Sequence, residues 1–142
     1  MTIAAILQGK GSNVVTIDAD ESVAGAVTLL AQRRIGAMPV IRNGKVAGIF
    51  SERDMVYRLH SDGAAILDAR VGDVMTAPAI TVSPDQSTLN ALALMTRRRI
   101  RHLPVVAGGQ LVGLVSIGDL VKRRIDDIER EAAALRDYIT GI

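Results

Sequence analysis

A gapless internal duplication constrains this chain more than any other feature. Val14–Leu59 and Ala79–Arg124 align at a constant offset of 65, with no insertion in either copy. Identities fall at Thr16/Thr81, Asp20/Asp85, Ser22/Ser87, Arg34/Arg99, Pro39/Pro104, Gly48/Gly113, Ser51/Ser116, Asp54/Asp119 and Arg58/Arg123, among others, and many remaining positions exchange one aliphatic for another. A fixed period of this kind implies one supersecondary unit built twice, each copy covering an apolar face the other leaves bare.

Each unit reads as strand, helix, strand, strand, helix. The β-rich runs "VVTI" and "AITV" lead into "DADESVAGAVTLLAQRR" and "SPDQSTLNALALMTRRR". Capping-box starts are expected at Asp18 with Glu21, and at Ser83 with Pro84 and Gln86. Val23, Ala26, Val27 and Leu30 then share one helix face. In "AMPVIRNGKVAGIF" and "HLPVVAGGQLVGLV", two apolar runs flank Asn43-Gly44 or Gly108-Gly109, the signature of a two-residue hairpin. Ser51 or Ser116 opens a second helix. The expected fold is α/β (α+β): two tandem β-α-β-β-α repeats packed about a pseudo-twofold axis, plus a C-terminal helix. Boundaries are placed at 1–60 for the first repeat, 61–70 for a linker, 71–124 for the second repeat and 125–142 for the terminal helix, all one module. "VGDVM" before the second unit and "TIAAIL" before the first read as equivalent short helical turns. In the tail, Val121, Ile125, Ile128, Ala132, Leu135 and Ile139 alternate in steps of four and three, a heptad seam. It suits a fold-back on its own domain or a second subunit equally. Asp126 and Arg130 stand as an i,i+4 pair on its flank.

Composition narrows the chemistry. Hydrophobic residues are 49% of the 142 but aromatics only 2%, so the core is built from aliphatics and Met. There is no Cys, which removes disulfides, thiolate nucleophiles and cysteine-bound zinc. The start carries no basic segment followed by a long apolar one, and no apolar run approaches the roughly 18 residues of a membrane span, so a cytoplasmic location is expected. Net charge is +2. The clusters Arg33-Arg34, Arg97–Arg99 and Lys122–Arg124 lie near helix ends, where cations complement the dipole. Nucleic-acid binding is not expected, because single-strand binders add aromatic platforms that are missing here. "QGKGSN" lacks the first Gly of a phosphate loop, and His60 and His102, the only imidazoles, belong to no metal or triad motif. No catalytic residue is assigned, and no catalytic cofactor or metal.

"GIFSERDMV" and "GLVSIGDLV" pose the sharper question, because Ser-x-x-Asp is first of all a helix cap. A helix N-terminus also offers free N–H groups and partial positive charge to a phosphate. An Asp in the first turn can accept both hydroxyls of a ribose. The same residues therefore fit a cap and a nucleotide site.

The duplicated unit, with "MPV"/"LPV" before the hairpin and Gly-x-x-Ser-x-x-Asp after it, resembles the cystathionine β-synthase (CBS) domain family, and in particular stand-alone bacterial CBS pairs. The resemblance implies two clefts between the repeats that take AMP, ADP, ATP, NAD(H) or S-adenosylmethionine as regulatory ligands. It implies pairing into a homodimer and a signal read by a partner protein. It assigns ribose to Asp54 and Asp119, and phosphate to Ser51 and Ser116. Thr16 and Thr81, with the backbone around Ala37-Met38-Pro39 and His102-Leu103-Pro104, would border adenine above a floor of Ile49 and Leu114. Arg101 and His102 would reach phosphate, as would Arg53 unless it ties up Asp54. Gly36 and Ala37 replace that basic pair in the first copy, so two unequal sites are expected, with the surroundings of Asp119 the closer match. The alternatives are vacant clefts in a purely structural dimer, or nucleic-acid binding through the Arg clusters.

Overall fold

The structure, a computed structural model, describes residues 1–11 and 13–141. Ser12, inside the "QGKGSN" motif, and Ile142, the expected end of the last helix, lie outside them. The first repeat runs through β1 (Ile17–Asp18), α2 (Val23–Arg33), β2 (Ala37–Arg42), β3 (Lys45–Ser51) and α3 (Glu52–Asp62). The second runs through α5 (Thr88–Arg98), β4 (His102–Ala107), β5 (Gln110–Ser116) and α6 (Ile117–Thr140). Two short helices precede them, α1 (Ile3–Lys10) and α4 (Val71–Val74), and a 3-10 turn spans Gly63–Asp68. Among the described residues no helix is long and apolar enough to cross a membrane.

The hairpins form as their turn residues require. Asn43, Gly44, Gly108 and Gly109 all have positive φ, the geometry whose twist matches the flanking strands. β2 and β3 pair antiparallel from Ala37↔Ser51 to Arg42↔Lys45, and β4 and β5 repeat that register from His102↔Ser116 to Ala107↔Gln110. β1 adds parallel to β2, whereas "AITV" contributes only one parallel bridge, Val82↔Val105, instead of a full strand. Helix starts also differ from the expected capping boxes. Ser22 and Ser87 are the caps, accepting from the N–H of Gly25 and Asn90 at 3.0 Å. Val23 and Thr88 already donate their N–H groups to Ala69 and Met1, which fixes the helix start at those residues. Asp18 and Ser83 shape the preceding turns, by accepting from Asp20 N–H and donating to Asp85. Arg123 pairs with Asp127 at 3.4 Å, and its repeat mate Arg58 with Asp62 at 3.2 Å, where the sequence suggests Asp126 and Arg130.

The two cores do not follow chain order. Ile66, Val71 and Val74, from the segment before the second repeat, pack with Val23, Met38, Val40 and Phe50 of the first. Ile3 and Ile6 pack with Met95, Leu103, Val105 and Leu120 of the second. Packing units thus differ from the sequence boundaries 1–60 and 71–124: α1 covers the second repeat and the 61–74 segment covers the first. Backbone bonds repeat the exchange, with Ile3 N–H to Gln86 O and Val71 N–H to Glu21 O. The leading segments align at an offset of 68, Ile3 with Val71 and Leu7 with Met75. Three residues, Gln8–Lys10, therefore extend α1 by about one turn. Leu7 and Met75 press on Gly113 and Gly48, where a Cβ would come within 2.6 and 2.7 Å of them. Only glycine leaves room for that approach.

If α1 is a core element of the second repeat, Ile3→Ala destabilises the whole chain by about 2–5 kcal/mol, as for a buried aliphatic elsewhere. Chemical denaturation measures this. A change below about 0.5 kcal/mol would mean α1 is a detachable arm.

Candidate functional site

A cleft of roughly 360 Å³ opens where the first repeat meets the second. The first repeat supplies Gly36, Ala37, Ile49 and the start of α3, Ser51–Asp54. The other wall is Thr76, Pro78, Ala79, Ile80 and Ile100, closed by Arg101 and His102. Its polar end is built by the cap. Ser51 N–H donates to Asp54 Oδ2 at 2.9 Å, and Asp54 N–H donates to Ser51 Oγ at 3.2 Å. This reciprocal pair fixes the carboxylate rotamer. Thr76 Oγ1 donates to Asp54 Oδ1 at 2.8 Å. Each carboxylate oxygen has two acceptor positions, so Oδ1 keeps one for a second donor. Glu52 N–H is taken by Gly36 O at 3.0 Å. That leaves the Arg53 N–H as the helix-end donor without a partner among the described residues. Thr76 is held by a two-way backbone bridge to Ile49 at 2.9 Å, which extends β3 into the cleft wall.

The equivalent position in the second repeat is organised differently. Ser116 and Asp119 form the same capping box, at 2.8 and 3.2 Å. Where Thr76 stands in the first cleft, however, the second receives the extra turn of α1, and Lys10 Nζ lies 2.6 Å from Asp119 Oδ2. Burial raises the Asp119 carboxyl, but the Lys10 and Ser116 hydrogen bonds and the Lys10 charge outweigh it and hold it below its ordinary value. The Lys10 ammonium thus takes up one oxygen of that carboxylate, and Leu7 closes over Gly113.

The sequence profile of the CBS domain matches residues 11–61 and 71–126. The chain belongs to the CBS-domain family. CBSX3, a mitochondrial CBS domain-containing protein of Arabidopsis thaliana, is 35% identical over 149 residues, spanning 99% of this chain and 72% of that protein. A CBS-domain protein of Burkholderia ambifaria MC40-6 superposes with a TM-score of 0.83 at 42% identity, over 89% of this chain and 96% of that one. CBSX2, solved in complex with AMP, superposes with a TM-score of 0.70 at 26% identity, over 82% and 90%.

Within this CBS pair, Ser51, Arg53, Asp54, Ala37, Ile49, Arg101 and His102 are brought to one cleft. The sequence leaves open which cleft His102 enters; the structure places the basic pair before Pro104 on the wall of the Asp54 cleft. Arg53 does not tie up Asp54; its Nη1 donates to Arg99 O of the second repeat at 2.9 Å. Met38 and Leu103 point the other way along their strands and are wholly buried in the two cores. Pro39 and Pro104, paired with Ile49 and Leu114 on the opposite face, are buried as well and do not line the cleft. Thr81 is exposed, because the alternation that turns Val82 into the core turns Thr81 to solvent. Thr16 lines a shallow groove with Asp18, Glu21 and Thr28, outside the cleft. Leu114, paired with Pro104, is the second repeat's counterpart of Ile49. Sequence reasoning missed Thr76, Pro78, Ala79 and Ile80 as lining, and Lys10 as the partner of Asp119. The only available signal was the change of offset from 65 to 68 in the leading segments.

His102 enters the cleft opposite Gly36, where a Cβ would lie 3.4 Å from the imidazole and 2.8 Å from Glu52 Oε1. Burial first, then the Lys10 charge, push the imidazole below its ordinary 6.5, against the pull of Asp119 and Glu52. A lowered imidazole pKa favours the neutral form in the folded chain. Its contribution to stability is complete above pH 6.5 and declines as pH falls from there to the folded value. Asp119, also lowered, contributes above 3.8 and is lost as pH falls through its folded value. Urea denaturation against pH should therefore show stability falling in two separate windows. His102→Gln should remove the upper one and keep the acid one; an unchanged upper window would assign that loss to another group.

Proposed function

We propose that this CBS pair is a non-catalytic regulatory module that takes an adenosine monophosphate moiety in the Asp54 cleft. The observation that carries this reading is a capped carboxylate facing an open, half-apolar cleft with basic groups on its far wall. Its size falls within the ordinary range for small-molecule sites. Asp54 would accept one ribose hydroxyl at the open position on Oδ1 and the other on Oδ2 in place of the Ser51 hydroxyl, which donates there at 3.1 Å. Each such charge-assisted bond contributes about 1.5–3 kcal/mol. Ser51, the Arg53 N–H, Arg101 and His102 would meet phosphate, and Ala37, Ile49, Pro78 and Ile80 would sandwich adenine. CBSX2, a structural neighbour, was solved with AMP, which supports the class of ligand.

Charge favours a short phosphate chain. Arg53 and Arg101 are offset by Glu52 and Asp54 in the cleft lining, so there is no surplus of cation for a triphosphate while His102 is neutral. AMP, or the AMP half of NAD(H), thus fits better than ATP. Binding would act by favouring one packing of the two repeats over another, which requires different affinity for the two states. The reader of that change would be a partner protein, and the module would act as a homodimer.

Thermal denaturation with AMP at about 100 times Kd should raise Tm by about 5 °C or more. Asp54→Ala should abolish the shift, Asp119→Ala should keep it, and ATP should give less. No shift with any adenine ligand would leave a structural dimerisation role. In calorimetric titration the wild type should bind one AMP per chain. Lys10→Ala, by releasing Asp119, should raise the count to two, and a count that stays at one would show that Lys10 is not what closes the second cleft.

A further inference from the structure

The face of α6 left bare by the fold has a defined charge order. The helix is about 36 Å long, and its first turns pack against α5 while Leu120 enters the second core. The heptad seam does not fold back. Val121, Ile125, Ile128, Leu135 and Ile139 are 42–72% exposed, as is Ala132 among them. Five large aliphatics in one stripe make a contiguous apolar surface of the kind that marks an interface.

We propose that this stripe pairs with α6 of a second copy of this chain, as a parallel, in-register two-stranded coiled coil. With Ile125, Ala132 and Ile139 at the a positions and Val121, Ile128 and Leu135 at d, the flanking g positions hold Arg124 and Glu131, and the e positions Glu129 and Arg136. In a parallel pair each g residue meets the e residue of the next heptad across the seam. Arg124 then faces Glu129 of the second copy, and Glu131 faces Arg136, so every such pair is attractive and is formed twice. An antiparallel pair over the same seam sets Lys122 against Arg136, Glu129 against Glu129 and Glu131 against Glu131, all repulsive. Arg124, Glu129, Glu131 and Arg136 are exposed and make no ion pair within the chain among the described residues. An antiparallel pair shifted by one heptad would set Lys122 against Glu129 and Arg124 against Glu131 but leave Leu135 and Ile139 uncovered. Charge order and full seam coverage together therefore favour the parallel register. This inference does not depend on the nucleotide reading.

The natural chain has no cysteine, so single-cysteine variants report contacts without background. Ile125→Cys and Ile139→Cys should each form a disulfide-linked homodimer under mild oxidation, because a parallel pair sets each position against itself. Glu129→Arg should weaken dimerisation by about tenfold in sedimentation equilibrium, and Arg124→Glu/Glu129→Arg should restore it. A monomer at high micromolar concentration would overturn the proposal. So would a disulfide that forms only when Ile125→Cys is mixed with a Leu135→Cys variant, which marks an antiparallel pair, or a dimer that persists with neither position 125 nor 139 cross-linking to itself.

Discussion

The exchange of leading segments is the constraint on which the rest of this molecule depends. Each β-α-β-β-α unit leaves part of its core uncovered, and the element that covers it comes from ahead of the other unit. Ile3 and Ile6 complete the second core, as Val71 and Val74 complete the first. Neither repeat is whole without a segment that chain order assigns to its neighbour. The two halves are thereby committed to one relative placement, and the clefts between them become fixed features of the fold. Burial of these four side chains contributes several kcal/mol in aggregate, at about 1.5–3 kcal/mol each.

That same exchange makes the two clefts different. Both leading helices press an aliphatic or thioether side chain onto the glycine of a hairpin strand, Leu7 on Gly113 and Met75 on Gly48. Beyond that point they diverge. The chain after Met75 leaves the helix and runs along β3, delivering the Thr76 hydroxyl to Asp54. The chain after Leu7 stays helical for one further turn and delivers the Lys10 ammonium to Asp119. A hydroxyl donor leaves the carboxylate negative, with one acceptor position open on Oδ1 beside the two Ser51 bonds to Oδ2. An ammonium neutralises it. A near-symmetric sequence thus yields one carboxylate bonded only by neutral donors and one paired with an ammonium, and the difference lies in three inserted residues rather than in the motifs themselves.

Much of this was legible in the residues. The offset of 65, the Asn43-Gly44 and Gly108-Gly109 turns and the Ser-x-x-Asp pairs place the hairpins and the capping boxes, because each depends on local chemistry. The heptad pattern of the tail was equally legible, being local too, but whether the seam folds back or stays exposed was not. What sequence could not supply were contacts between residues remote in the chain. Lys10 and Asp119 are 109 positions apart, and nothing local to either announces the other. Thr16 and Thr81 fail for a related reason: their place near a strand was visible, but not which side of it would face the cleft. Arg101 and His102 were recognisable as a basic pair, yet only the packing of the repeats shows that they line the same cleft as the carboxylate of the other copy.

The central claim is that the Asp54 cleft receives the nucleotide while Lys10 keeps the second one closed. Titration of AMP into the isotopically labelled chain, followed by methyl and amide NMR, tests it residue by residue. Shifts should concentrate at Ala37, Ile49, Thr76 and Ile80, with Leu7 and Leu114 undisturbed. Shifts centred on Leu7 and Leu114, or of equal size in both clefts, would contradict it.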